Sequence, residues 1–143
     1  MRLKVQVLLG APKETKMDIV VTTPKSEIEN AAREAQFCIE NGSGFYFRNL
    51  GRRQPKGLEI GSKIFYVEDG WVRGFAVVSL ITEEPQICEV TGKVYGNSTK
   101  AVMDAKGWNW IKPIPMKGFQ GFRYFKEPYE VVGDWLSPKP EIK

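Results

Sequence analysis

The stretch that decides the fold is Leu58–Val78, which reads LEIGSKIFYVEDGWVRGFAVV. Within it, Asp69-Gly70 separates two apolar, β-rich runs, Ile64–Glu68 and Trp71–Ile81. An Asp-Gly dipeptide between such runs is a strong local signal for two antiparallel strands joined by a tight turn. The sequence therefore predicts a β-hairpin here.

The second arm of this hairpin is apolar on both of its alternating faces. Val72, Ala76, Val78 and Leu80 fall on one face, and Trp71, Phe75, Val77 and Ile81 fall on the other. Such a strand is expected at the centre of a sheet, with one face inside a barrel and the other covered by a helix. Gly74 interrupts the run and predicts a bend or bulge, which a barrel requires.

Further β-rich runs flank the hairpin, and one segment has the pattern of a long helix. The predicted strands are Leu3–Leu9, Met17–Thr23, Phe45–Arg48, Gln86–Val94, Trp108–Ile111, Phe122–Phe125 and Tyr129–Val132, and Asn97–Lys106 is compatible with a short helix. The long helix is predicted to begin near Ser26, which has capping-box spacing to Glu29, and to end at Asn41.

These elements predict an α+β fold, a mixed β-barrel of about five to seven strands with one main helix packed across it. One domain is expected over residues 1–136, beginning with a strand-strand-helix unit, and residues 137–143 are expected to be a flexible tail. No apolar run is long enough to span a bilayer or to form a signal-peptide core. A cytoplasmic protein without membrane contact is therefore predicted.

The sequence contains no histidine. This absence excludes Ser-His-Asp and Cys-His nucleophile systems and every zinc site that uses histidine. The two cysteines, Cys38 and Cys88, lack the close spacing of a metal or redox pair, so both are expected to be small buried apolar residues. No metal, no cofactor and no catalytic residue is assigned.

Positive charge is concentrated in two segments. Arg48–Lys63 carries a net charge of +4 and Lys106–Lys126 carries +5, whereas the whole chain carries +4. The remaining residues therefore sum to −5. Such asymmetry indicates an anionic partner if the two segments share a surface, and indicates nothing if they face opposite ways.

The second basic segment, KGWNWIKPIPMKGFQGFRYFK over Lys106–Lys126, also holds six aromatic rings and no acidic residue. Rings, cations and permissive glycines together are typical of a surface that binds a nucleotide. The alternative is an irregular strand–loop–strand whose rings face inward. Our interpretation divides the segment: Trp108–Ile111 and Phe122–Phe125 supply core, and the loop Lys112–Gly121 faces a ligand.

Two of these stretches resemble a known superfamily. Leu58–Val78, with Gly61, Asp69-Gly70 and Gly74, looks like the central hairpin of PUA-like domains. The run IKPIPMKGFQGFRYF, residues 111–125, is similar to the late strand–loop–strand of the ASCH and EVE branches. The resemblance covers roughly residues 45–132. It implies a pseudo-barrel with a cleft between barrel and helix, and a domain that binds RNA or recognises a modified base.

Ten residues are predicted to bind RNA, DNA or a nucleotide-like ligand. Phosphates would be bound by Arg52, Arg53, Lys56, Lys117 and Arg123, a base would stack on Trp108, Trp110 or Phe119, and a base edge would be bonded by Asn49 and Gln120. For each ring the alternative is a place in the core.

Two other functions stay open from the sequence. The resemblance to ASCH proteins allows a small hydrolase or nuclease acting on a nucleoside or nucleic acid, with Lys63 and either Glu68 or Glu59 as proton carriers. A protein-interaction module, in which the aromatic segment contacts a partner chain, is the third alternative.

Overall fold

The computed structural model describes residues 16–23, 37–52, 54–88 and 92–142. The strands are β1 (Ile19–Thr22), β2 (Phe45–Gly51), β3 (Lys63–Glu68), β4 (Trp71–Thr82), β5 (Gln86–Ile87), β6 (Val94–Tyr95), β7 (Thr99–Asp104), β8 (Asn109–Pro115), β9 (Phe122–Tyr124) and β10 (Val131–Asp134), and a short 3-10 helix covers Ala105–Gly107. Residues 37–41 are helical. The predicted strand Leu3–Leu9 and the helix start near Ser26 lie outside the described residues.

The predicted hairpin is confirmed as β3 and β4, which pair antiparallel from Lys63↔Val77 to Glu68↔Trp71. Its two turn residues have positive φ, 50° at Asp69 and 86° at Gly70. A two-residue turn with positive φ at both positions matches the right-handed twist of the strands it joins, and Asp-Gly is a preferred pair for it.

Strand β4 lies at the centre of the sheet, as its two apolar faces predict. β3 pairs with one edge of it, and β8 and β7 follow one another along the other edge. Beyond β3 come β1 and β9, beyond β7 comes β2, and beyond β8 comes β10. Only the pairing of β1 with β3 is parallel among the described ladders, so the sheet is mixed, as predicted.

The sheet curls into a half-barrel. Four strand steps separate β1 from β2, which is about 19 Å in a flat sheet. Nevertheless, Nη1 of Arg48 on β2 lies 3.4 Å from the carbonyl oxygen of Thr22 on β1. The described sheet has eight strands, more than predicted, and its pairings do not join into a ring. β5 and β6 form a separate ribbon where one longer strand was predicted.

The bulge predicted at Gly74 is confirmed on both edges of β4. The register shifts between Tyr66 and Val67 on β3, and between Val72 and Gly74 on the side that faces β8. A Cβ at position 74 would lie 2.4 Å from the Asn109 carbonyl oxygen and 2.4 Å from the Trp108 ring. Glycine is required here because a buried ring and a backbone oxygen occupy the space of a side chain.

The sheet carries an apolar cluster on each face. The inner cluster contains Ile19, Val21, Cys38, Tyr46, Leu58, Ile64, Tyr66, Ala76, Val78, Ala101, Met103, Ala105, Trp108 and Trp110. The outer cluster contains Val20, Phe65, Val67, Val72, Phe75, Ile111 and Phe125. Strict alternation along β4 predicts that Val72 and Ala76 lie on the same face. This prediction is wrong: Val72 lies in the outer cluster and Ala76 in the inner cluster, because the bulge at Gly74 changes the face that Val72 occupies.

Of the predicted helix, the structure describes only residues 37–41. Cys38 of the helical residues packs in the inner cluster. The outer face is covered by the end of the aromatic segment, where the Phe125 ring stacks on Phe65 at 4.1 Å. Tyr129 adds an edge contact to Phe65 at 5.1 Å. Late residues of the chain therefore cover part of the outer face.

Residues 97–106 and the two cysteines differ in part from the sequence predictions. Residues 97–106, compatible with a helix, form β7 and begin the 3-10 helix. Cys38 is buried as predicted, and Cys88 is half-buried. No helix among the described residues is long and apolar enough to cross a membrane, and these residues contain no cluster of potential metal ligands.

Candidate nucleic-acid interface

The two basic segments of the sequence meet in the structure. The Tyr124 hydroxyl on β9 donates a hydrogen bond of 2.8 Å to the carbonyl oxygen of Lys56. The neighbouring Gly57 carbonyl accepts from the backbone N–H of Met17, two residues before β1 begins. The loop 54–57 therefore lies beside β9 and β1, and cations from both segments flank one edge of the half-barrel.

The aromatic side chains of β9 lie on the inner side of the sheet. Phe122 and Tyr124 pair with Val21 and Ile19, which belong to the inner cluster. Their rings contact edge to face at 5.6 Å and are 39% and 41% exposed, respectively. Arg123 points to the opposite side, as the alternation in the sequence predicts. The prediction that Phe122 supplies core is wrong, because β9 lies at the edge of the described sheet and the Phe122 ring is 39% exposed.

Phe119 and Arg123 form a flat pair on the outer side of β9. The Arg123 guanidinium carbon lies 4.2 Å above the centroid of the Phe119 ring. Phe119 is half-buried against the outer cluster, and Arg123 is exposed. A guanidinium over a ring face is attracted by the ring quadrupole, and a planar group of this kind also stacks on a base.

Thr22, at the end of β1, joins these parts. Its hydroxyl accepts a hydrogen bond of 3.0 Å from the Phe119 backbone N–H. Its carbonyl accepts the contact from Arg48 described above. Arg48 was counted among the basic residues of the sequence but not among the ligand residues. Its two-residue spacing from Tyr46, an inner-cluster residue, was the signal that places it on the inner side.

We call this region the basic rim. It comprises Arg48, Arg52, Lys56, Lys117, Phe119, Gln120, Phe122, Arg123 and Tyr124. Arg52, Lys56, Lys117 and Arg123 are exposed, and none of them forms an ion pair with an acidic residue in the part of the chain that the structure describes. Their charge is therefore available to an anionic ligand.

Trp108 and Trp110 lie in the inner cluster, not in an open pocket. Trp108 is fully buried, and its ring meets Trp110 edge to face at 5.3 Å and Tyr66 at 5.8 Å. Because both rings are buried, neither can stack on a base. The interpretation that Trp108–Ile111 supplies core is confirmed, and the loop that follows β8 is shorter than Lys112–Gly121 because β8 extends to Pro115.

Of four further predicted ligand residues, two lie in the basic rim, one lies elsewhere and one is outside the described residues. Gln120 and Lys117 are exposed in the rim. Asn49 alternates with Arg48 along β2 and so lies on the opposite side of that strand, where its Oδ1 accepts from the Gly51 backbone N–H at 3.2 Å. Asn49 is therefore not brought to the rim. Arg53 lies outside the described residues.

The residues of the hydrolase alternative are not brought together. Lys63 and Glu68 stand at opposite ends of β3, about 16 Å apart along the strand and on opposite sides of it. The Lys63 ammonium lies 5.7 Å from the Phe75 ring centroid, whereas Glu68 pairs with Lys139 at 3.0 Å. Glu59 is exposed before β3. No described geometry joins these groups into a proton-transfer pair.

Comparison with known proteins adds one finding. The sequence matches no family model and no curated protein. Among solved structures, the chain is similar to the crystal structure of a mutant of ZmASCH from Zymomonas mobilis, with a TM-score of 0.44 and 13% sequence identity. The match covers 78% of this chain and 92% of that one. That protein carries the name of the ASCH branch, which the sequence resemblance also names.

Proposed function

We propose that the basic rim binds single-stranded nucleic acid, with RNA as the preferred form. The observation that carries the proposal is the contact between Tyr124 and Lys56, which brings loop cations beside exposed rings. A duplex hides its bases, whereas a single strand offers each base as a flat face for stacking. Exposed rings beside cations that have no acidic partner within the described ranges fit a single strand.

The proposed binding mode combines phosphate contacts with base stacking, and Arg123 takes part in both. Lys56, Arg123 and their cationic neighbours contact phosphates, which adds affinity that depends on salt but not on sequence. The Phe119–Arg123 pair and the Phe122–Tyr124 pair stack bases on the two sides of β9. The Gln120 amide offers a donor and an acceptor to a base edge.

Recognition of a modified base, which the resemblance also implies, has less support in the described rim. Phe119, Phe122 and Tyr124 lie on an open edge of the sheet and do not enclose a base between them. An open arrangement favours stacking that tolerates any base over selection of one modification. The preference for RNA over DNA comes from the PUA-like resemblance alone, so it is tested separately.

The test is binding of a labelled single-stranded oligonucleotide of about 12 nucleotides, a length within the range of small single-strand binding sites. Fluorescence anisotropy is measured from about 50 mM salt upward, for RNA and for DNA of the same sequence. The logarithm of the affinity should fall linearly with the logarithm of the salt concentration. If neither the RNA nor the DNA binds at the lowest salt concentration, the proposal is overturned.

A pair of charge-matched variants assigns the binding to the rim. Lys56→Ala with Arg123→Ala should lower the steepness of the salt dependence by about 1.4, since each lost phosphate contact removes about 0.7 for a single strand. Lys93→Ala with Lys112→Ala removes the same charge elsewhere on the surface and should leave the slope unchanged. Equal slopes for the two double variants would place the binding outside the rim.

A further inference from the structure

The residues that follow β10 contact the inner side of the sheet beside the hairpin turn. The Trp110 indole N–H donates to the Ser137 carbonyl oxygen at 3.2 Å. The Arg73 guanidinium donates from Nη2 to the Pro140 carbonyl oxygen. The Lys139 ammonium donates to Glu68 Oε1 at 3.0 Å. Residues 137–140 therefore make specific contacts where the sequence predicts a flexible tail.

The three residues that receive the tail are buried parts of the sheet. Trp110 belongs to the inner cluster, and Glu68 and Arg73 are each 5% exposed. Arg73 stands at the bulge, where the register of β4 shifts against both of its neighbours. Bulges redirect a side chain out of the normal alternation. The sheet therefore presents an indole donor, a guanidinium donor and a carboxylate acceptor in fixed positions.

The tail itself is a surface segment. Lys139 has a side chain that is 42% exposed, and Pro138 and Ile142 are exposed. The Lys139 ammonium keeps contact with water, whereas its partner Glu68 is buried. Buried binding groups that face an exposed segment have the asymmetry of a receptor and its ligand.

The spacing of the contacts fits a polyproline II segment. The accepting carbonyls belong to Ser137 and Pro140, three residues apart, and polyproline II has three residues per turn. These two carbonyls therefore lie on one side of such a segment. Pro138 and Pro140 favour this conformation, and grooves that bind proline-rich ligands use its preformed shape. Lys139 adds a positive charge that pairs with the Glu68 carboxylate.

We propose that Trp110, Arg73 and Glu68 form a binding site for an extended segment in which a lysine stands between two prolines, supplied by another protein, and that residues 137–140 occupy this site as an intramolecular ligand. Displacement of the tail would leave the Arg73 guanidinium without the Pro140 oxygen. Because Nε of Arg73 has no hydrogen-bond partner among the described residues, an incoming carbonyl is favoured there.

The Arg73 guanidinium stays charged although it is buried in the proposed site. Burial lowers the pKa of Arg73, and the nearby charge of Glu68 opposes this effect. Arginine keeps its proton at any ordinary pH, so the group remains a charged donor. A buried charged donor favours a carbonyl ligand over an apolar one.

The experiment uses the full-length chain and the labelled peptide LSPKPEIK, which has the sequence of residues 136–143. In the natural chain the tail competes with the peptide, so binding should be weak. Lys139→Glu places a carboxylate against Glu68 and should release the tail, which makes peptide binding about tenfold tighter because the competent state becomes populated. Lys139→Ala should have a smaller effect, and Lys93→Glu is the matched control with no effect.

A second readout makes every result informative. Hydrogen exchange of the Arg73 guanidinium N–H groups should be faster in Lys139→Glu, since their acceptor is the carbonyl of Pro140, the residue next to Lys139. Adding Glu68→Gln to that variant should remove its preference for the lysine peptide over one with alanine in the same place. Faster exchange without peptide binding overturns the proposal, and so does unchanged exchange in both Lys139 variants. Formation of a dimer instead of peptide binding would overturn it in favour of tail exchange between two copies.

Discussion

Trp108–Ile111 and Phe119–Tyr124 come from one stretch of aromatic and basic residues, yet they have opposite environments. The first part is buried between the inner and outer clusters, and Trp108 fills the space over Gly74. The second part includes β9, at the edge of the described sheet, and presents Phe122, Tyr124 and Arg123 to solvent. Half of the residues in each part are aromatic, so aromatic content does not decide burial.

The difference comes from the neighbours that each part meets. β8 pairs with the central strand β4 on one edge and with β10 on the other, and a bulge in β4 opens space for a ring. β9 pairs only with β1 in the described sheet, so nothing described covers its far edge. A ring beside a central strand is enclosed, whereas a ring on an edge strand keeps a free side.

The largest expected effect is on the buried side. Trp108→Ala should lower the free energy of unfolding by about 3–5 kcal/mol, because it leaves a cavity in a fully packed cluster. Urea unfolding followed by circular dichroism measures the change. A loss below about 1 kcal/mol, as expected for a surface position, would contradict the enclosed environment of this ring.

Gly74→Ala should have the next largest effect on stability. The new Cβ would clash with the Trp108 ring and with a backbone oxygen that cannot move aside, and overpacking of this kind costs about 1–3 kcal/mol. Gly96→Ala is the control, because a Cβ at position 96 meets no atom within 4 Å. If both substitutions change the urea midpoint equally, the bulge does not hold the ring as described.

On the exposed side, Phe119→Ala should weaken binding of single-stranded RNA by about tenfold, which corresponds to stacking of one base. Arg123 would lose the ring on which it lies, so the substitution removes one platform. Thermal unfolding of the same variant separates lost affinity from lost structure. An unchanged affinity in a folded variant would remove Phe119 from the proposed interface.

The smallest expected effect is on the stability contributed by the inner-side rings of β9. Phe122→Ala should change the free energy of unfolding by less than about 1 kcal/mol, because the ring is exposed and its partner Tyr124 is also a surface residue. The same urea experiment used for Trp108 provides the comparison. A loss as large as that of Trp108→Ala would mean that Phe122 is enclosed and that the two regions do not differ.

Much of the central architecture was predictable from local patterns. Asp69-Gly70 between β-rich runs predicted the hairpin, the two apolar faces of β4 predicted its central place, and Gly74 predicted the bulge. Each of these signals depends on the conformations open to a few neighbouring residues. Because long-range strand pairing does not change these local preferences, the hairpin and the bulge occur in the structure as predicted.

The site was predictable only in part, because its residues are far apart in the chain. The sequence identified Lys56 and Arg123 but could not show that Tyr124 joins their segments. It placed Trp108 among the ligand residues because a tryptophan beside lysines has the same local pattern in a core and on a surface. The predicted ligand role of Asn49 depended on which side of β2 it occupies, and β-pairing decides that.

The sequence by itself determined the hairpin, the mixed β-rich character of the chain and the concentration of positive charge in two segments. Only the tertiary structure decided which rings are buried, which loops meet at the rim and where residues 137–140 lie. The physical reason is that turn and strand preferences belong to neighbouring residues, whereas burial depends on contacts between residues distant in sequence. The curl that brings Arg48 to Thr22 across four strand steps is a contact of this second kind.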